Sequence, residues 1–441
     1  MTTHSNTSYL YLFFGDIILL YVSLFLTLFI RYGGFPSPSL LGVHFAAFSV
    51  LFIAWLFIFF VAGLYDRQIL LFPESLWQRI LQTQVVNSVI GVVFFYTIPF
   101  FSIAPKTNLF IYLFVSFGLL TLWRYWSVKL FTMRDSVQAI LIASGDIGEQ
   151  VKDRINNREH GLQITTQIYP DDYDSDELYN VTHQVIEEDA ASLVILDTQN
   201  SVVERGLSRL YEFLYADVYF VTLDSLYETI FERIPIHRLE HEWFIEHIRR
   251  TPHVAYDTLK RGMDIAVGGI LFILSLLLYP IVAIAIYAED QGSIFYTQKR
   301  VGQFGEIIHI TKFRSMSTDP VNKHVTKVGH YLRKTRIDEL PQLWNVLEGK
   351  LSLIGPRPEL PSLVGSYESS IPYYHARHLI KPGLSGWAQL RHDEPPKFVP
   401  QVEGTREKLS YDLYYIKNRS ILLDVKIGLW TLRVLASRSG A

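Results

Sequence analysis

The chain has 441 residues, 49% of them hydrophobic and 14% aromatic, with a mean hydropathy of +0.18 and no cysteine. It is therefore too apolar for an ordinary soluble protein and long enough for two or three domains, while disulfides and thiolate metal sites are excluded and nothing requires an oxidising compartment. The net charge of −3 averages +3 over residues 1–137, −13 over 138–250 and +7 over 251–441, so phosphates or a lipid surface suit the last third and no nucleic-acid partner is expected.

Four apolar stretches, residues 9–30, 43–65, 85–101 and 109–131, each approach the roughly 20 residues a helix needs to cross hydrocarbon. The opening "MTTHSNTS" has no Lys or Arg, unlike a cleaved signal peptide. Arg67 and Arg79 lie between the second and third stretches, and Arg124, Lys129 and Arg134 close the fourth. The positive-inside rule then puts both ends of the bundle in the cytoplasm. Asp16, inside the first stretch, is expected at a bundle contact or a lipid site.

From Ser136 the pattern changes. "VQAILIASGDIGEQVKDRI" reads as an apolar strand, a tight turn and a helix, and "ASLVILD" and "DVYFVTL" read as further buried strands of a small parallel α/β unit. The turn approximates the dinucleotide fingerprint G-x-G-x-x-G, with Ala143 at its first position and Gly145 and Gly148 at the others; Asp171 or Asp172 stands where an acidic ribose partner would. With one glycine missing and so many acids, the unit is read as a degenerate, Rossmann-like regulatory or oligomerisation module. Further on, Tyr256 and Lys260 have the Y-x-x-x-K spacing that dehydrogenases and sugar epimerases use to lower a tyrosine pKa, but they directly precede an apolar run and read as a membrane-proximal helix face.

That run, residues 264–287, is long enough to span, with basic residues on both flanks that favour neither orientation: Arg249, Arg250, Lys260 and Arg261 before it, Lys299 and Arg300 after. Pro280 removes a backbone donor and bends the helix, so a helix that enters and leaves by one face is expected.

Beyond it, "RKTRIDELPQLWNVLEGKLSLIGPRPE" sets the adjacent carboxylates Asp338 and Glu339 among Arg333, Lys334, Arg336 and Arg357, with Lys312 and Arg314 upstream in "KFRSM". Pro341 is acceptable in a first helical turn, so a helix is expected to begin within 337–340 with the acids at its positive end. An N-cap and a dipole partner are the plain reading of such acids. So many cations, however, form a costly cluster unless an anion beyond two carboxylates neutralises them. A diphosphate fits, and the cations should keep Asp338 ionised, able to attack phosphorus.

D-E-L-P-Q, G-P-R-P and K-F-R-S-M, with "QKRVGQFGEIIHI" and "KPGLSGWAQL", resemble the polyprenyl-phosphate sugar-1-phosphate transferases of bacteria over about residues 255–435. The layout is similar to the long form of that family. The resemblance implies a membrane α-helical bundle (1–135), an α/β Rossmann-like domain (136–250) and a mixed, mainly α monotopic catalytic domain (251–441) with a re-entrant helix at about 262–287. It also implies Asp338 as nucleophile, Glu339 as the ligand of Mg2+, and Lys312, Arg314, Arg333, Arg357 and Arg391 as substrate-binding. A UDP-sugar donor, an undecaprenyl phosphate acceptor, a bacterial inner-membrane location with the catalytic domain in the cytoplasm, and a homodimer follow from the same resemblance.

The chain departs from the family's pattern at Gln291, Gly292, Ser293 and Ile294, at Tyr279 before the helix proline, and in "LRHDEPPK" after "GWAQ", which leaves Arg391 the least securely placed. His375 and His378 have metal-site spacing without a third ligand and read as surface or packing residues. The C-terminal "SILLDVKIGLWTLRVLASR" suits either a helix in the headgroup layer or a core helix. Two rival functions stand beside the transferase: a membrane-bound NAD-dependent sugar epimerase or dehydratase using the middle domain, and a catalytically silent assembly scaffold.

Overall fold

A computed structural model describes residues 3–65, 76–97, 106–132, 137–157, 162–189, 191–216, 218–248, 254–319, 324–391 and 402–437. The chain forms two compact units, Met1–Leu226 and Tyr227–Ala441.

In the first unit, helices Thr3–Tyr32, Pro38–Val61, Leu76–Thr97 and Lys106–Thr132 contain four segments long and apolar enough to cross a membrane. Their mutual core is built from Leu20, Leu24, Phe48, Trp55, Ile80 and Tyr112, while Ile53, Phe60, Phe110 and Phe114 face outward as lipid-facing side chains would. Asp16 is a bundle contact: fully buried, it pairs with Arg124 and accepts from the Tyr65 hydroxyl at 2.9 Å, and Arg124 also donates to the Leu64 carbonyl at 2.7 Å. A charge neutralised inside the bundle gives no orientation signal, so Arg124 drops out of the positive-inside count. Arg67 and Arg134 lie outside the described residues.

The second part of this unit is a parallel four-stranded sheet, order β2-β1-β3-β4, of β1 (Val137–Ile142), β2 (Leu162–Ile168), β3 (Leu193–Leu196) and β4 (Tyr219–Thr222). The central strands β1 and β3 are the continuous apolar runs, as burial on both faces requires. Edge strand β2, "LQITTQI", alternates buried and exposed positions at its start and has no apolar run to reveal it. Gly145, at φ 80°, begins helix Asp146–Asn156, and a Cβ on Gly148 would sit 3.2 Å from the Ala143 methyl, so both glycines serve the strand-to-helix turn. Asp171 accepts from Asn200 at 2.8 Å.

In the second unit, residues 234–248, grouped by sequence with the acidic middle, pack onto the C-terminal core: Ile234 and Ile236 join Tyr374, Trp387, Leu409 and Tyr415 there. Helices Val254–Leu276 and Tyr279–Asp290 meet at a 53° bend, with Pro280 in the first turn of the second. The break thus falls just before the proline, whose ring excludes the preceding helical turn. Ile270, Ile273, Leu277, Ile281 and Ile284 around the bend are exposed. β5 (Phe295–Val301) and β6 (Ile307–Phe313) form an antiparallel hairpin, and β7 (Ser352–Ile354) pairs in parallel with β8 (Gly383–Ser385). Helix Ile421–Ser437 is neither purely core nor purely surface. Asp424 and Ile427 are buried; Val425, Leu429 and Leu432 are exposed.

Candidate functional site

Three segments bring the site together. Arg336, at φ 56° and ψ 16°, is in the left-handed region, a strain on the order of 1 kcal/mol for a residue with a Cβ. It reverses the chain between helix Lys327–Lys334 and a 3-10 turn, Ile337–Glu339, which Pro341 then leads into helix Gln342–Glu348. A 3-10 turn thus begins where the sequence predicts the helix, with the acids in it, but the α-helix itself begins only at Gln342, and neither start has a side-chain cap. Asp338 caps nothing. It is 8% exposed, and its Oδ1 has no hydrogen-bond partner among the described residues. An unpartnered buried carboxylate oxygen is costly unless a ligand completes it.

The hairpin supplies Lys312. Asn345, one helical turn beyond Pro341, donates to the His309 carbonyl at 3.1 Å and accepts from Thr311 N at 3.5 Å, which fixes β6 against the acidic turn. Lys312 Nζ then lies 3.1 Å from Glu339 Oε1.

Arg357 comes from the "GPRP" segment after β7. Gly355 N donates to the Ser385 carbonyl and Gly383 N to that of Pro356, at 2.8 and 2.9 Å. The backbones lie so close that a Cβ on Gly383 would be 2.1 Å from Gly355 N, and one on Gly386 2.3 Å from Gly355 O. Glycine is required there for approach, not for φ. Buried Arg377, paired with Asp412 at 2.8 Å, donates to the Arg357 carbonyl at 3.1 Å, so the backbone under Arg357 is held from both sides. Its guanidinium reaches Glu339 Oε1 at 3.3 Å.

The electrostatics separate the two acids. Burial opposes ionisation of Glu339, but Arg357, Lys312 and Arg336, the last 3.9 Å away, outweigh it and hold its carboxyl down to about 2. Asp338 goes the other way. Burial and then the Glu339 charge raise it, Lys312, Arg336 and Arg333 oppose them, and the result is about 6. The cations are expected from sequence to keep Asp338 ionised; in the fold their closest contacts go to Glu339, and burial raises Asp338. Asp338 is still mostly ionised at pH 7, and a carboxylate with a pKa near 6 is a better nucleophile than an ordinary one.

Arg333 donates to Ser315 Oγ at 2.9 Å and acts on Asp338 through its charge. Two sequence candidates are held elsewhere. Arg314 pairs with Asp290 at the end of the bent helix pair, packed beneath Gly292. Arg391 pairs with Glu232 and stacks 4.6 and 4.9 Å from the rings of Trp387 and Trp430. Basic charge and family resemblance rank both with the site, and the acids that pair with them are distant in the chain. Arg300 and Gln342, not counted among the site residues from sequence, line a recess with Lys312, Glu339, Arg357, Gly383 and Leu384. From sequence Arg300 stands only as a helix-flanking charge and as part of the "QKRVG" motif, with no role assigned to it.

His375 is exposed and His378 packs against Tyr374 at 5.9 Å, held down to about 4 by burial, Arg377 and His375; no group of three potential metal ligands occurs among the described residues. Tyr256 and Lys260 both bind buried Asp424, at 2.9 and 3.0 Å, and Tyr415 donates to its other oxygen at 2.6 Å. The Y-x-x-x-K pair therefore ties the membrane-proximal helix to the C-terminal one.

Residues 255–438 match the family model described as bacterial sugar transferase. Exopolysaccharide production protein PSS of Rhizobium leguminosarum bv. phaseoli is 36% identical over 185 residues, covering 38% of this chain and 90% of the relative. The chain belongs to the bacterial sugar transferase family. A UDP-glucose:undecaprenyl-phosphate glucose-1-phosphate transferase of Caulobacter vibrioides is 36% identical over 200 residues, 43% of this chain and 74% of the relative. A UDP-N-acetylgalactosamine-undecaprenyl-phosphate N-acetylgalactosaminephosphotransferase of Aeromonas hydrophila is 39% identical over 229 residues, 50% of this chain. The match spans about half of that relative, 52% of its length. All of the acidic turn, the hairpin and the "GPRP" segment fall within the family match.

Proposed function

We propose that the protein transfers a sugar-1-phosphate from a UDP-sugar to undecaprenyl phosphate through a phosphosugar intermediate on Asp338, initiating exopolysaccharide or O-antigen synthesis. The observation that carries this reading is Asp338 itself: buried, uncapped, with a partnerless Oδ1, beside a second carboxylate that gathers three cations. Relatives named for this reaction support the substrates. Asp338 attacks the sugar-bearing β-phosphorus, the bond to the bridging oxygen breaks, and UMP leaves with the electron pair. An oxygen of the lipid phosphate then attacks the same phosphorus, the acyl phosphate bond breaks, and the carboxylate returns. Charge balances across both steps without a net proton.

Mg2+ fits the donor set, because magnesium takes one or two carboxylates plus substrate phosphates and not a protein cage. Glu339, held ionised, would be its ligand. Bound there, the ion offsets phosphate charge that otherwise repels an attacking anion. Lys312, Arg357 and Arg336 keep Glu339 in place, and Arg333 adds positive potential at Asp338.

The bent helix pair is a re-entrant hairpin in this proposal, which sets the soluble donor and the lipid acceptor at one interface. Arg261 at its base donates to the Val346 and Leu347 carbonyls, both at 2.7 Å, while Glu289 at its far end accepts from Lys327 N and Val328 N at 2.6 and 3.0 Å. Both ends thus join the same folded unit, which a crossing would separate. Residues from Arg261 to Leu276 rise about 22 Å, short of the ~30 Å hydrocarbon core. The same proposal places the protein in the bacterial inner membrane with this unit in the cytoplasm, reads the parallel sheet as a Rossmann-like module without a cofactor role, and takes the functional form as a homodimer.

Purified protein given UDP-sugar labelled in the β-phosphate should move label into lipid extractable material only when polyprenyl phosphate is present; label remaining wholly in the donor would defeat the reading. The pH dependence follows from Asp338. UMP release without acceptor, which avoids the titrating acceptor phosphate, should fall about tenfold between pH 7 and pH 5 as the carboxylate protonates through about 6. A flat rate over that range would mean an ordinary carboxylate.

A further inference from the structure

Arg300 lies in β5 beside the site, and its side chain makes only neutral contacts: Nη1 donates to the Pro358 carbonyl at 3.2 Å and Nη2 to Gln298 Oε1 at 2.8 Å. It forms no ion pair among the described residues. The Val301 N to Glu359 O bond, 2.9 Å, clamps the end of the same strand to the "GPRP" segment, so Arg300 is fixed with respect to Arg357. Arg300, Lys312 and Arg357 line one recess in which Glu339 is the only carboxylate. Lys312 and Arg357 already share Glu339. Of the other nearby carboxylates, Asp412 pairs with Arg377 at 2.8 Å, and Glu359, 3.9 Å from Arg377 and outside the recess lining, acts on Arg300 and Arg357 through its charge without pairing with either. The recess lining therefore carries three cations against one carboxylate, and burial and the repulsion of Arg357 outweigh the Glu359 and Glu339 charges that favour the Arg300 cation.

We propose that this recess seats the phosphate of the departing nucleotide, with Arg300 its third cation. The inference rests on the proposed reaction. Asp338 does not line the recess, whereas its neighbour Glu339 does, so a phosphorus at Asp338 places the adjoining phosphate of the donor on the Glu339 side. Also lining the recess are Gly383 and Leu384 of β8. Its partner β7 is tied through Ser352 Oγ and Leu353 N, each at 3.1 Å, to Asp264 in the first half of the bent helix pair, well before the apolar bend. A soluble nucleotide fits that end better than a lipid tail. As the bridging bond breaks, the nucleotide phosphate gains a charge, so Arg300 interacts more strongly with the transition state than with the bound donor and accelerates the first step.

Full-length protein in lipid nanodiscs, with UMP as the probe in equilibrium dialysis, tests this without turnover. Arg300→Gln should bind UMP at least ~10-fold more weakly, bind uridine as wild type does, and slow UMP release in the first half-reaction with kcat/KM for polyprenyl phosphate unchanged. Arg300→Lys should recover part of the loss and guards against a folding defect in the glutamine variant. Unchanged UMP affinity in both variants, or a lowered acceptor kcat/KM in place of weaker UMP binding, would overturn the assignment. An Arg300-dependent UMP site in a protein that never carries label on Asp338 would sink the covalent route and leave the recess standing.

Discussion

Asp338→Asn should lose transfer by on the order of 10^4-fold or more while the protein becomes more stable. The amide keeps the size and shape of the carboxyl but offers no anionic oxygen to form the acyl phosphate, and removing a group that forms the covalent bond typically costs that much. Stability should move oppositely because folding raises the Asp338 pKa from 3.8 to about 6. The native state binds that proton more tightly than the unfolded chain, so the wild type loses stability as pH rises from about 4 to 6 and carries a cost of about 3 kcal/mol at neutral pH. An uncharged side chain removes much of it. Thermal unfolding of the two proteins at pH 7 and pH 4 checks this: the variant should be the more stable at pH 7, by about 1–3 kcal/mol, and the difference should shrink at pH 4. Retained turnover in the variant, or a stability deficit at pH 7, would contradict the assignment of position 338 as a strained nucleophile.

For Glu339→Gln the expected result is a loss of about 10^2 to 10^3-fold in turnover with a shifted pH profile. The glutamine cannot neutralise Lys312, Arg357 and Arg336, whose contacts converge on one carboxylate oxygen. Their excess charge would then act on Asp338, and the repulsion from Glu339 that helps raise Asp338 would be gone. Both changes lower the Asp338 pKa. The acidic limb of residual UMP release should move below about 6, with more Mg2+ needed for half-maximal rate. An unmoved limb would show that burial alone sets the nucleophile. Coupling to Asp338 separates this outcome from loss of metal binding, which would leave the limb in place.

The chemistry-bearing residues were unusually readable. Asp338 and Glu339 sit in a short segment with Arg333 and Arg336, and Lys312 and Arg357 stand in motifs specific enough to assign them together before any fold was in view. The four apolar helices and the bend at Pro280 also followed from local pattern, because hydrocarbon length and the missing proline donor act on contiguous residues. Less readable was β2, whose polar alternation belongs to a sheet edge, and the attachment of residues 234–248 to the C-terminal core. Basic charge and family resemblance rank Arg314 and Arg391 with the site, while the ion pairs they make, with Asp290 and Glu232, join residues in different segments and no motif announces them.

Sequence by itself determined the inventory of this protein: four helices long and apolar enough to cross a membrane, a parallel-strand pattern, two adjacent carboxylates, and the cations around them. Those are properties of residue type and short-range spacing, which hydrophobicity and backbone stereochemistry fix locally. Only the tertiary structure decided how the charges divide. It gives three cations to Glu339, leaves Asp338 buried with an open oxygen and a raised pKa, draws Arg314 and Arg391 away, and sets Arg300 in the recess. Coulombic interaction and desolvation depend on distances of a few ångströms between segments far apart in the chain, and no local pattern encodes those.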